Sequence, residues 1–202
     1  MTDLVLVRHG ETEWNRLGRV QGRTDIPLND TGRRQARAAG RRLRGERWDG
    51  IASSPLSRAA ETARIIAHEV GLGAPELVEA LVERDYGDAE GLTGEELDRR
   101  FDGVLTARES RESVLERVRP ALVALAERHP GSRLLVVSHG GVIGSLVRDV
   151  TRWAWPEPGV RIENGSDHVF RVEDGAITLI SFAGRPWSED LLPAEEPVRT
   201  AD

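Results

Sequence analysis

The chain has 202 residues and no cysteine, which removes disulfides, thiolate metal ligands and thiolate nucleophiles together. It has no lysine either, and all 28 of its basic residues are arginine. Lysine Schiff bases and lysine-bearing phosphate loops are therefore excluded. Aromatic residues make up only 4% of the chain, and no apolar run approaches the roughly 20 residues needed to cross a bilayer. The opening run from Asp3 to Val7 is too brief for a secretory signal and lacks its basic lead. These absences predict a cytoplasmic protein with no membrane partner. The formal net charge of −6 gives no general attraction to nucleic acid, while leaving room for a small anion in a local basic pocket.

Length favours one domain over residues 1–202, large enough to bury about 70% of its unfolded surface. Its end, from about 185 to 202, reads as a loose acidic tail. Asp3 to Val7 reads as a buried first strand ending at Arg8, His9 and Gly10. Asn29 or Thr31 is placed to cap a helix reaching about Leu43. Trp48 to Ser53 predicts a second strand, Pro55 the start of a helix carrying Ala59, Ala63 and Ile66, and Glu76 to Val82 a third strand. A glycine-bearing loop from Gly87 to Gly94 leads into helices near Thr93 to Phe101 and Arg111 to His129. Leu134 to Val137 has the continuous apolar character of a central parallel strand, with a helix after Gly140. Val169 to Val172 and Ile177 to Phe182 flank an Asp174 and Gly175 turn as a hairpin. The rhythm predicts an α/β protein, a three-layer α/β/α sandwich around a mostly parallel sheet.

The strongest chemical signal is the run Arg8, His9, Gly10, Glu11, Thr12, Glu13, Trp14, Asn15, at the exit of the first strand. Arginine offers a planar fork for phosphate oxygens, glycine permits close approach to the backbone, and imidazole can attack phosphorus to form a phosphoramidate. Arg58, beyond the second strand, is in register to reach the same anion. Ser138, His139, Gly140 and Gly141 present a second imidazole beside the amides of a helix N-terminus. His68, His129 and His168 have no motif partner and read as structural or solvent-facing. The arginines from Arg33 to Arg47 read as a solvated helix face. Trp153 and Trp155 are weak candidates for lining a substrate mouth.

These residues resemble the histidine phosphatase, or phosphoglycerate mutase-like, superfamily over nearly the whole chain. Further matches run through Arg19, Gln21, Gly22, Asp25, Pro27, Leu28, Gly32, Gln35 and Ala36, then Ser53, Ser54, Pro55, Leu56, Arg58, Ala59 and Thr62. The resemblance implies that His9 is the phosphorylated nucleophile and that Arg8, Arg58 and His139 hold the phosphoryl group. Asn15, Gln21, Gly22 and Gly140 would complete the substrate pocket. Glu83 is its implied general acid and base, with Asp85 a weaker substitute. Four cationic or donor groups around the phosphoryl oxygens would replace a metal, so neither metal nor cofactor is expected. Ala89 departs from the pattern, standing where a tryptophan is frequent, and would widen or reshape the substrate mouth.

A phosphatase acting on a small phosphorylated substrate is the leading expectation. Only Arg84 to Ser138 separates the acid from the second histidine, less than the mutases of the superfamily carry. Gly141 and Val142 stand where those mutases usually have asparagine and then serine or threonine. A mutase primed by 2,3-bisphosphoglycerate is the alternative within the family. A non-catalytic phospholigand-binding protein and a metal hydrolase on His9, His139 and a carboxylate are alternatives of other classes. The edge strands of such a sheet could pair two copies into a homodimer.

Overall fold

The computed structural model describes residues 1–101, 108–156 and 159–188. Its sheet contains β1 (Thr2–Arg8), β2 (Gly50–Ser53), β3 (Glu76–Leu77), β4 (Arg133–Ser138), β5 (Asp167–Glu173), β6 (Ala176–Phe182) and β7 (Arg185–Pro186), in the order β3-β2-β4-β1-β5-β6-β7. The first four strands of that order are parallel, and the C-terminal three add an antiparallel half. The fold is α/β, with a mixed central sheet whose parallel half leads into His9 and His139 at the ends of β1 and β4. The β5–β6 turn places Asp174 and Gly175 both at positive φ, 49° and 76°, as a tight two-residue hairpin demands. Residues 185–186 of the expected loose tail pair with β6, and 189–202 lie outside the described residues.

Alternation along the central strands divides the core in two. Leu4 and Leu6 on β1 and Leu134 and Val136 on β4 face α5 (Arg111–Arg128) and α6 (Gly140–Val150). Val5, Val7, Leu135 and Val137 face α2 (Asp30–Leu43) and α3 (Ser57–Val70). Both sets are almost wholly buried, which is why these strands read as unbroken apolar runs. Asn29 caps α2, its side chain accepting the Gly32 N–H, while Leu56 rather than Pro55 is the N-cap position of α3.

The predicted third strand is cut short. After β3 the chain turns into a 3₁₀ segment, Glu79–Leu81, because its carbonyls are taken by side chains instead of a neighbouring strand. Arg117 on α5 donates to the Ala80 and Val82 carbonyls at 2.6 and 2.8 Å, and the Ser138 hydroxyl donates to the Leu81 carbonyl at 3.0 Å. The second strand begins at Gly50; Trp48 instead closes the end of α2, its indole N–H donating to the Leu43 carbonyl at 2.8 Å. A short helix that the pattern did not suggest, α1 (Glu13–Arg16), lies inside the first motif and is fastened by a capping box between Thr12 and Asn15. The helix expected near Thr93 to Phe101 is α4 (Gly94–Phe101).

Candidate active site

Parallel pairing sets Arg8 opposite Ser138, and the His9 N–H donates to the Ser138 carbonyl at 3.0 Å. His9 and His139 therefore leave neighbouring strands at the same level. Their rings meet edge to face with centroids 5.1 Å apart, close to the ~4.8 Å that separates adjacent strands. On the other side of β4 the end of β2 brings in Ser54, whose N–H donates to the Val137 carbonyl at 3.0 Å. Its hydroxyl lies 2.8 Å from His139 Nε2.

Each imidazole has one nitrogen occupied by the protein. His9 Nδ1 is 2.7 Å from the Gly10 carbonyl, and a carbonyl can only accept, so Nδ1 carries the proton and Nε2 keeps its lone pair. Burial first, then the charges of Arg8 and Arg58, hold the His9 pKa well below 6.5. His9 is thus a neutral imidazole at neutral pH. Burial also dominates for His139, followed by Arg58, and drives it well below 6.5. The Ser54 oxygen also accepts the Leu56 N–H at 3.3 Å, and its hydroxyl can either donate to His139 Nε2 or accept from it. His139 Nδ1 is buried and has no partner among the described residues; with Ser54 donating to Nε2, it is this nitrogen that carries the ring's proton.

Two arginines surround the imidazoles. Arg58, in the first turn of α3, is fully buried; its Nη1 donates to the Thr24 carbonyl at 2.9 Å and its Nη2 to the Gly22 carbonyl at 2.7 Å. Arg8 Nη1 donates to the Ile162 carbonyl. Burial lowers the pKa of both from the ordinary arginine value, a cost that a bound dianion would offset. Gln21 is only 8% exposed. Among the described residues the unpartnered buried side-chain atoms are Arg8 Nε, both amide atoms of Gln21, Arg58 Nε and His139 Nδ1, with Arg133 Nε the one elsewhere. Native interiors rarely leave such atoms unsatisfied, and here Arg8, Gln21 and Arg58 line a cavity of about 590 Å³ together with His9, whose ring packs against His139. Asn15, Gly22, Glu83 and Gly140 line it too.

Glu83 faces the N-terminus of α6. One carboxylate oxygen accepts the Gly141 N–H at 3.0 Å; the other accepts Val142 at 3.1 Å and Arg84 at 2.8 Å. A helix N-terminus favours such an anion. Gly141 is required for this contact, since a Cβ there would lie 2.5 Å from the carboxylate and 3.1 Å from the Tyr86 hydroxyl. Tyr86 lines the same cavity, and burial, helped by Glu83, pushes its pKa up to about 12. It stays a neutral hydroxyl.

All nine site residues singled out from the sequence lie at this one cavity or, for His139, against the His9 ring that lines it. Their neighbours Ser54, Tyr86, Arg117 and Asn164 were given no role by sequence reasoning. Only Ser54 carried a signal, as part of the run shared with the superfamily. Trp155 is a core residue, with ring centroids 5.9 Å from Phe182 and 5.0 Å from Trp187, and neither it nor Trp153 lines the cavity. Ala89 is 1% exposed and does not line the cavity, so it does not shape the mouth directly. Among the described residues no group of three or more histidine and acidic side chains is arranged to hold a metal ion, and no helix is long and apolar enough to cross a membrane.

A family model described as the histidine phosphatase superfamily, branch 1, matches residues 4–183. An uncharacterised phosphatase, PhoE, of Bacillus subtilis strain 168 is 42% identical over 75% of this chain and 78% of its own length. A metal-independent phosphoserine phosphatase of Arabidopsis thaliana is 36% identical over 75% of this chain and 70% of its own. The solved structure of a mycobacterial glucosyl-3-phosphoglycerate phosphatase with VO3 superposes with a TM-score of 0.78 at 31% identity, covering 88% of this chain and 96% of that one.

Proposed function

The chain belongs to the histidine phosphatase superfamily and is a metal-independent phosphatase, and on that premise we propose that it hydrolyses a small phosphorylated metabolite through a phosphohistidine on His9. The observation that carries this reading is the neutral His9 imidazole, its lone pair free at Nε2, beside a ring of unpartnered buried donors.

In the first step the Nε2 lone pair attacks phosphorus in line, forming the P–N bond as the ester P–O bond breaks. Arg8, Arg58, Nδ1–H of His139 and the amides of Asn15 and Gln21 hold the non-bridging oxygens, over which the charge spreads. The departing alkoxide takes a proton from Glu83. That proton belongs on the oxygen that accepts only Gly141, because the other already holds two backbone N–H groups. In the second step a water gives its proton back to Glu83 as its oxygen bonds to phosphorus, and the P–N bond breaks. His9 is restored.

Arg148 and Arg161 also line the cavity. Arg148 lies eight residues along α6 from Gly140, about 12 Å by helix rise, so these cations suit a leaving alcohol that bears a second negative charge. Gly141 supports hydrolysis over mutase chemistry, because an asparagine side chain there would collide with Glu83 as it now lies.

The test is release of phosphate from p-nitrophenyl phosphate in excess chelator. The intact protein should turn over, and His9→Ala should lose at least ~10³-fold in kcat/KM. Full activity in His9→Ala, or loss on chelation, overturns the mechanism. Isomerisation of 3-phosphoglycerate faster than phosphate release would assign a mutase instead.

A further inference from the structure

The loop before β5 pairs with both backbone groups of Arg8, the residue before His9. The Arg8 N–H donates to the Ser166 carbonyl at 3.1 Å, and the Gly165 N–H donates to the Arg8 carbonyl at 2.9 Å. One side chain extends this grip beyond the strand. Asn164 Nδ2 donates to the His9 carbonyl at 2.8 Å and to Asn15 Oδ1 at 3.3 Å. It is the one side chain among the described residues hydrogen-bonded to both residues.

The second of these bonds sets the chemistry of Asn15. Its Oδ1 accepts the Thr12 N–H at 3.2 Å as well as the Asn164 amide, which uses both lone pairs of that oxygen. The Asn15 amide is thereby fixed with its NH₂ as the end left for the cavity, which Asn15 and Asn164 both line. Turned the other way, Asn15 would offer an acceptor to a phosphoryl anion, and the two would repel.

We propose that Asn164 is a positioning residue for phosphoryl binding, acting by holding the Asn15 amide with its donor end toward the phosphate and by tethering it to the His9 backbone. The proposal rests on the phosphate reading of the cavity. Because Asn164 acts through Asn15, its contribution disappears once Asn15 has lost its amide.

The experiment measures inhibition by inorganic phosphate and steady-state kinetics with p-nitrophenyl phosphate for the intact protein, Asn15→Ala, Asn164→Ala and the double variant. Asn164→Ala should weaken phosphate binding about tenfold, as for one hydrogen bond to a charged group, and the double variant should match Asn15→Ala rather than multiply the two losses. Asn164→Asp, of equal size, is the second variant should the alanine fail to fold. Its oxygens can only accept, so Asn15 Oδ1 loses a donor and faces a carboxylate oxygen instead, and phosphate binding should weaken at least as much as with alanine. Multiplicative losses, or unchanged phosphate affinity in either Asn164 variant, overturn the proposal. If the intact protein does not bind phosphate, the reading of the cavity falls with it; if it binds and the variants bind equally, only the role of Asn164 falls.

Discussion

At single side chains, the site depends on which nitrogen of each imidazole holds the proton. The Gly10 carbonyl settles this for His9, and a Ser54 hydroxyl donating to Nε2 puts the His139 proton on Nδ1, so that one ring offers a lone pair and its neighbour a donor. Ser54→Ala should leave His139 free to carry its proton on either nitrogen and lower kcat/KM about tenfold; steady-state kinetics against phosphate release checks this. An unchanged kcat/KM would show that the ring needs no such partner. His9 and Arg8 were legible in the sequence because adjacent residues carry their chemistry. The role of Ser54 was not. Its partner lies 85 residues away and is reached only because β2 and β4 are neighbours. Asn164 was hidden for the same reason, its two partners being 155 and 149 residues distant.

Among the elements, the N-terminus of α6 does two jobs at once, receiving the Glu83 carboxylate and bounding the cavity through Gly140. Gly141→Ala tests their coupling, since the added methyl must push the carboxylate or the backbone aside. We expect kcat for an alkyl phosphate to fall about 10²-fold, the lower range for removing general acid catalysis. The loss should be smaller for p-nitrophenyl phosphate, whose leaving group needs little protonation; equal losses would show that Glu83 is not the acid. The central strands and long helices were readable because their apolar periods are strong. The segment after Glu76 misled because Leu77, Leu81 and Val82 suit a strand, whereas Arg117, remote in sequence, captures the carbonyls that a strand would need.

For the whole molecule, buried histidines tie stability to acidity. His168 is fully buried, and burial depresses its pKa to about 4 against Asp167, which acts the other way. The Ala183 N–H donates to its Nδ1 at 3.3 Å, so its proton is on Nε2, 3.0 Å from the Ser166 hydroxyl. The unfolded chain takes up this proton near pH 6.5 and the folded one only near 4, so the contribution is complete above the first value and drains away as pH falls toward the second. Between pH 7 and 5 this amounts to about 2 kcal/mol. His168→Gln should remove that part of the pH dependence, read by urea unfolding at the two pH values; an unaltered dependence would place the linkage on other groups. The antiparallel half of the sheet that encloses His168 was readable as a hairpin, but its attachment beside β1 needed the tertiary structure. The ladder between β1 and β4 sets the His9 and His139 imidazoles one residue past a paired position. Their separation is set by the backbone ladder and by neither side chain, so changes at the cavity wall, at Arg148 or Arg161, can alter which leaving groups are accepted without moving one imidazole relative to the other.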